Sequence, residues 1–358
     1  MKICFFADGS SIHTIRWCSH FQSLGHDVHL ITFSKSEIPK VSVHLIEIGS
    51  INVKGGNWKV LFKYRKVKQL LKEISPDIFH ALYATSYGIT GALCGFHPFI
   101  ITALGTDVLI SAKESKVYNV LLRFAFSNAD WITAMSDFMK LEIEGMGVKP
   151  EKVSTVPFGI DPAVFNADKR QVENDKFIIT STRNFETIYN IPHLINAIAN
   201  IRNKIPKLHL NLIGSGSLKG ELEALINIRK LNDMVSFPGK LSQVEIAKSL
   251  NSSHVFVSVS LSDGNNISLN EAMACGAYCI VTNIPANTQW IKDSENGFLV
   301  EINDVDGLAA KIEEVYLKYQ IIQEKAIPIS QAIISEKGIW SVNMKRVEDK
   351  YLSLISKK

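Results

Sequence analysis

The sequence predicts an α/β protein built from two doubly wound parallel-sheet domains that face each other across a cleft. Three observations carry this expectation. The chain has 358 residues, more than one ordinary hydrophobic core accommodates. Short, continuous apolar runs alternate with longer helix-like stretches, and the alternation restarts midway along the chain. Strands that are apolar throughout belong to parallel sheets covered on both faces by helices.

The elements follow in order. Lys2 to Phe6 reads as a buried strand, Ile12 to Leu24 as a helix, and Asp27 to Thr32 and Val41 to Ile48 as strands. A helix is expected from about Trp58 to Ile74, then strands at Asp77 to His80, Phe99 to Thr102, Trp131 to Ala134 and Val153 to Val156. The second series has strands at Phe177 to Ser181, Leu208 to Ile213, Val235 to Phe237, Val255 to Val259 and Tyr278 to Thr282, separated by helices. The polar stretch Asn166 to Asp175 is read as the linker, giving domains at 1–165 and 166–338. A last helix from about Ile339 to Ser356 follows and is free to pack back on the first domain.

Composition narrows the function. Apolar residues make up 46% and charged residues 21%, as in globular proteins, and the formal net charge of +4 gives no basis for a nucleic-acid partner. Cys4, Cys18, Cys94, Cys275 and Cys279 are odd in number, show no paired C-x-x-C spacing, and read as buried free thiols of a reducing compartment. The apolar start of MKICFFADGSS stops at Asp8, too soon for a signal peptide, and no run has the length of a membrane span. The expected location is cytoplasmic, with peripheral contact to the inner face of the cell membrane left open.

In doubly wound sheets, ligands bind beyond the carboxyl ends of the strands. The most informative such place is VFVSVSLSDGNNISLNEAMACGAYC, residues 255–279. A buried strand runs into the turn Ser262-Asp263-Gly264-Asn265-Asn266, and a helix follows. The first N–H groups of that helix lack internal partners and carry partial positive charge, which suits a diphosphate. Gly264 permits close backbone approach. Asp263 and Glu271 flank the turn with seven residues between them, and both can accept from ligand hydroxyls. The plainer alternative is that Asp263 caps the helix and Glu271 is solvated.

SDGNNISLNEAMACG resembles the signature of the retaining glycosyltransferases of family four (glycosyl transferases group 1), which have the GT-B fold of two Rossmann-like domains. The resemblance extends through Ser11 to Trp17, Gly105-Thr106-Asp107, Val156 to Asp161 with Phe165, Gly214-Ser215-Gly216, Phe237-Pro238-Gly239 and Asn296 to Val300. It implies a nucleoside diphosphate sugar as donor, UDP-sugar above others, a glycan or lipid-linked acceptor, and no metal or other cofactor. It implies that Glu271 bonds the ribose, Asp263 faces the donor sugar, and the amides around Asn266, Ile267 and Ser268 hold the diphosphate. Arg183 would neutralise the phosphates, backbone near Lys240 and Leu241 would edge the base, and Gly9 and Ser10 would approach the diphosphate from across the cleft. Asp107 is the nearest polar group for the transferred sugar, with a helix-capping role as its structural alternative. His13, at the start of the first helix, is a minor candidate for substrate contact.

Three positions depart from the family's commonest pattern. The first acidic residue is Asp263 instead of Glu. Thr187, Ile188 and Tyr189 stand where a Lys usually follows the phosphate-binding Arg. Ala103 and Leu104 precede Gly105 where a His is common. The first leaves the donor sugar open, the second implies weaker diphosphate binding or a substitute cation, and the third leaves the contact to the transferred sugar unassigned.

Residues 54–72 carry Lys54, Lys59, Lys63, Arg65, Lys66, Lys68 and Lys72 beside an apolar stripe of Trp58, Leu61, Phe62, Leu70, Leu71 and Ile74. This is either a helix packed on the sheet with a solvated basic face or a surface for anionic lipid.

The resulting expectation is a hexosyl- or N-acetylhexosaminyl-transferase acting with retention in cell-surface polysaccharide or glycolipid biosynthesis. Alternatives are a sugar-nucleotide epimerase of related fold and a non-catalytic sugar-nucleotide-binding protein. A dinucleotide oxidoreductase would need G-x-G-x-x-G where the chain has Asp8-Gly9-Ser10-Ser11.

Overall fold

The computed structural model describes residues 1–48, 58–173 and 175–356. The chain forms two compact units, Met1–Val156 with Lys345–Lys358, and Pro157–Met344.

In the first unit, seven parallel strands stand in the order β3-β2-β1-β4-β5-β6-β7. They are β1 (Lys2–Phe6), β2 (Asp27–Thr32), β3 (Ser42–Leu45), β4 (Ile78–Leu82), β5 (Phe99–Ala103), β6 (Trp131–Ala134) and β7 (Val153–Thr155). Central β4 and β5 are buried at every position, which is why their sequences show no alternation. The strand order reverses between β1 and β4, so the turns after these two strands open at a topological switch point.

The expected helix over 58–74 is divided into Trp58–Leu61 and Tyr64–Ile74. Val67, Leu71 and Ile74 are buried, whereas Arg65, Lys66, Lys68 and Lys72 are exposed. Part of the apolar stripe is therefore consumed by the unit's own core, while Phe62 is 81% exposed. Lys54 lies outside the described residues.

Residues 345–355, the end of the helix Trp340–Ile355, complete the first unit. Tyr351 is fully buried, stacks on Phe21 with ring centroids 5.4 Å apart, and its hydroxyl meets Nδ1 of His80. His80 Nε2 pairs with Thr102 Oγ1 at 2.7 Å, which in turn pairs with Thr133 Oγ1 at 2.7 Å. Burial pushes the His80 imidazole down to about 3.

The second unit holds six parallel strands in the order β10-β9-β8-β11-β12-β13. These are β8 (Phe177–Ser181), β9 (Leu208–Ile213), β10 (Val235–Gly239), β11 (Val255–Ser258), β12 (Tyr278–Thr282) and β13 (Gly297–Val300). Two apolar clusters cover the two faces. Val255 and Val257 enter one with Ile179, Leu210 and Ile280, while Phe256 enters the other with Leu269, Met273, Cys279 and Trp290. The two-residue period of a strand makes this division. The order reverses between β8 and β11.

The polar stretch read as a linker lies inside the second unit, since the division falls at Val156/Pro157. Arg170 donates to the carbonyls of Leu250, Ser253 and Cys275 and to the Tyr319 hydroxyl, at 2.8–3.3 Å. Its charge is spent on the carboxyl ends of the helices Gln243–Asn251 and Ile267–Ala274, where carbonyls lack internal partners. All five cysteines are buried and free.

Candidate functional site

The switch point of the second unit gathers the residues that the sequence singled out there. Arg183 follows β8 and Asp263 follows β11, so neighbouring strands place them together. Arg183 Nη2 donates to Asp263 Oδ2 at 2.5 Å, and Nη1 donates to Asn266 Oδ1 at 2.9 Å. The side chains of the ion pair are 9% and 16% exposed. One face of the guanidinium lies over the Tyr189 ring, with Cζ 4.2 Å from the centroid.

Asn266 is the N-cap of the helix Ile267–Ala274: its Oδ1 accepts from Leu269 N at 3.1 Å. Asp263 is not the cap; its Oδ1 instead receives the Asn265 N–H at 3.2 Å and holds the turn. Fully buried Asn266 also donates from Nδ2 to Ser258 Oγ and Asn287 Oδ1, at 3.1 and 2.9 Å. Asn287 donates to the Thr282 carbonyl at 2.9 Å, so the ends of β11 and β12 are tied through one amide network. Asn265 is fixed likewise, accepting from Trp290 Nε1 at 3.0 Å and donating to the Phe158 carbonyl at 3.2 Å.

Ile267 N donates to the Asn265 carbonyl at 3.0 Å, so this amide is engaged within the turn. Ser268 Oγ reaches the Thr182 carbonyl at 3.5 Å. Glu271 is half-buried one turn further along the helix. Lys240, exposed, and Leu241, half-buried, follow β10, where Gly239 O accepts from Gly214 N at 2.9 Å.

Gly214 presses on the segment that carries Arg183. Its φ is +149°, and a Cβ there would stand 2.7 Å from the Arg183 carbonyl oxygen. Phe185 N donates to Ser215 O at 3.0 Å, so the post-β9 loop forms a backing for the post-β8 loop.

The first unit places its candidates separately. Gly9 follows β1; its N–H donates to Thr32 Oγ1 at 2.8 Å, and a Cβ would meet Ser36 Cβ at 2.6 Å. Exposed Ser10 donates from N and Oγ to Asp8 Oδ1, at 3.0 and 2.7 Å. Those side-chain and amide bonds hold the Asp8 carboxyl below its ordinary range against the opposing effect of burial. His13 is half-buried on the first turn of the helix Ile12–Ser23, and burial, with Arg16 nearby, pulls its imidazole down.

Asp107 differs from its expected role. It has no exposed surface, and its oxygens accept from the N–H groups of Ala84, Leu104, Gly105 and Val108 at 2.7–3.2 Å. Burial raises its carboxyl while these amides pull the other way. It braces the turns after β4 and β5. The braced turn contains Tyr83 at φ +94°, a left-handed conformation costly for a residue with a Cβ.

Sequence reasoning missed Asn265, Asn287, Trp290 and Tyr189. Asn266, as an Asn just before a helix, carried a capping signal; the others act through tertiary contacts without local patterns. Among the described residues, no three His, Cys, Asp or Glu side chains gather as a metal-binding group. No described helix is long and apolar enough to cross a membrane.

Two compact units, each built on a doubly wound parallel sheet, are the architecture of the GT-B class. Family models agree: "Glycosyl transferase 4-like" matches residues 2–136 and "Glycosyl transferases group 1" matches residues 165–331. The chain belongs to the group 1 glycosyltransferases and is a glycosyltransferase.

Among curated relatives, N-acetyl-alpha-D-glucosaminyl L-malate synthase of Bacillus anthracis is 28% identical over 303 residues, covering 80% of this chain and 78% of that protein. The UDP-Gal:alpha-D-GlcNAc-diphosphoundecaprenol alpha-1,3-galactosyltransferase of Escherichia coli is 25% identical over 316 residues, covering 81% and 79%. Among solved structures, Anabaena HepE in complex with UDP aligns with a TM-score of 0.81 at 17% identity, over 99% of this chain and 100% of that one. Sucrose-phosphate synthase from Thermosynechococcus elongatus gives 0.81 at 18% identity, over 100% of both chains. These likenesses show the GT-B fold.

Proposed function

We propose that the second unit binds a UDP-sugar at the head of the helix Ile267–Ala274, and that the chain transfers its hexosyl or N-acetylhexosaminyl group, with retention, to a glycan or lipid-linked acceptor. The observation that carries the reading is the convergence of Arg183, Asp263 and Asn266 beyond β8 and β11. The relatives named for UDP-galactose and for N-acetylglucosaminyl transfer support the donor class.

In this reading the bond from the sugar C1 to the β-phosphate oxygen breaks as the acceptor oxygen bonds C1 on the same face. The acceptor proton passes to an oxygen of the departing diphosphate. Arg183 and the helix head stabilise the charge gathering on that diphosphate. Asp263 accepts from a donor-sugar hydroxyl and Glu271 from the ribose. Gly9, Ser10 and His13 serve the first unit's part in substrate binding, and Lys240 and Leu241 edge the base. No divalent metal is required, because Arg183 and the helix amides supply the positive charge.

We further propose a cytoplasmic enzyme that contacts the inner membrane face through the basic side of Tyr64–Ile74 and Phe62. Exposed Arg65, Lys66, Lys68 and Lys72 support this.

The test is a panel of UDP- and GDP-sugars, scored first by thermal shift and then by product formation with and without acceptors. A UDP-sugar should raise Tm, since a ligand bound only by the folded state adds stability with its concentration. Product should require an acceptor, keep the anomeric configuration by NMR, and form undiminished in EDTA. Product without acceptor would favour the epimerase, and binding without turnover the inactive binding protein. Absence of any shift across the panel would overturn the reading.

A further inference from the structure

We propose that Tyr189 is a positioning residue for Arg183, holding its guanidinium ready for a diphosphate. This rests on the reading that the site holds a nucleoside diphosphate. The stretch Thr187-Ile188-Tyr189 carries no charge to share the neutralisation of a diphosphate with Arg183. It supplies instead a flat ring beneath the guanidinium, 4.2 Å from Cζ to centroid.

The ring is held firmly. Residues 187–189 form one 3-10 turn, with Tyr189 N donating to Glu186 O at 2.9 Å. Leu261 N donates to Ile188 O at 2.8 Å, which ties the turn to the segment that leads into Asp263. Asn190, at φ +52°, closes the turn and donates from Nδ2 to Asn303 Oδ1 at 3.1 Å. The guanidinium is thus fixed in its plane by Asp263 and Asn266 and perpendicular to it by Tyr189. A long, rotamer-rich side chain so restrained gives up less freedom when a phosphate arrives.

Calorimetric titration with UDP tests this on wild type, Tyr189→Phe, Tyr189→Leu and Tyr189→Met, the last offering similar bulk without a ring should the Leu variant misfold. Tyr189→Phe should keep UDP affinity within about twofold, because the ring face is retained. Tyr189→Leu and Tyr189→Met should weaken UDP about tenfold, with Tm nearly unchanged. In an Arg183→Ala background, Tyr189→Leu should cost no further affinity, since the two residues act as a unit. Wild-type affinity in the Leu and Met variants, or an equal loss with and without Arg183, would overturn the inference. Failure of wild type to bind either UDP or GDP would instead overturn the donor-site reading on which it stands.

Discussion

At the scale of single residues, Arg183 and Asp263 already satisfy each other in the structure. A donor diphosphate must therefore compete with the Asp263 carboxylate for the guanidinium. Asp263→Asn relieves that competition and leaves the cap on Asn266 untouched. We expect this variant to bind UDP several-fold more tightly, yet to lose turnover by about a hundredfold, because in the proposed reading it lacks the charged acceptor for the sugar hydroxyl. Calorimetry and steady-state assays measure the two effects separately, and weakened UDP binding would count against the competition. Glu271→Gln should behave oppositely, raising the UDP dissociation constant with a smaller change in kcat, because ribose is held in both ground and transition states. The sequence made both carboxylates visible through their spacing around a strand-to-helix turn. It could not assign the cap, since Asp263, Asn265 and Asn266 are all good capping types within four positions. Only the path of the turn decides among them. The engagement of Asp107 is hidden for a related reason: a carboxylate after a strand looks the same in sequence whether it faces solvent or binds four amides.

At the scale of elements, the loop after β9 explains how Arg183 is backed. Gly214→Ala would place a Cβ against the Arg183 carbonyl at a φ that side chains avoid. Tm should fall by several degrees, and UDP affinity should drop with it. Gly220→Ala, in the helix Lys219–Ile228 with nothing within 4 Å of its Cβ, is the matched control and should be neutral or slightly stabilising. Equal behaviour of the two variants in thermal melts would show that the loop has room to adjust. The Tyr64–Ile74 helix carries a second expectation. With Leu71 and Ile74 committed to the core, membrane contact must be mainly electrostatic. Vesicles containing anionic lipid should co-sediment the protein at low salt, release it at high salt, and retain less of a Lys66/Lys68/Lys72→Glu variant. Salt-insensitive retention would remove the electrostatic account. Element positions were largely legible, because buried parallel strands such as Ile78–Leu82 and Tyr278–Thr282 are unbroken apolar runs. The break at 62–63 in the expected 58–74 helix was not, since no Pro or Gly marks it.

At the scale of the whole molecule, two features escaped composition. The polar 166–173 segment resembles a tether, yet Arg170 spends its charge on helix carbonyls, and average polarity cannot separate the two uses. The sequence leaves the last helix free to pack back on the first unit but does not mark the residue that secures it, since Tyr351 reads as an ordinary helix residue until His80 is seen beside it. The burial of His80 makes stability depend on acidity. His80 is held neutral in the fold to about 3, against an ordinary value of 6.5, so the unfolded chain takes up the proton first. Its contribution is complete above pH 6.5 and is lost progressively as pH falls towards 3. Tm should decline over that window, and His80→Gln should decline less steeply from a lower starting value; parallel slopes would assign the acid sensitivity to other groups. The same return has a consequence for the order of synthesis. Tyr351 and Glu348, which meet His80 and His26, are translated after all of residues 157–344. At typical elongation rates the first seven strands wait roughly 10–40 s on the ribosome before the side chains that finish their core exist. During that interval the surface around Phe21 and His80 is open, and a nascent-chain pulse-labelling experiment should find it protected only once the final helix has emerged.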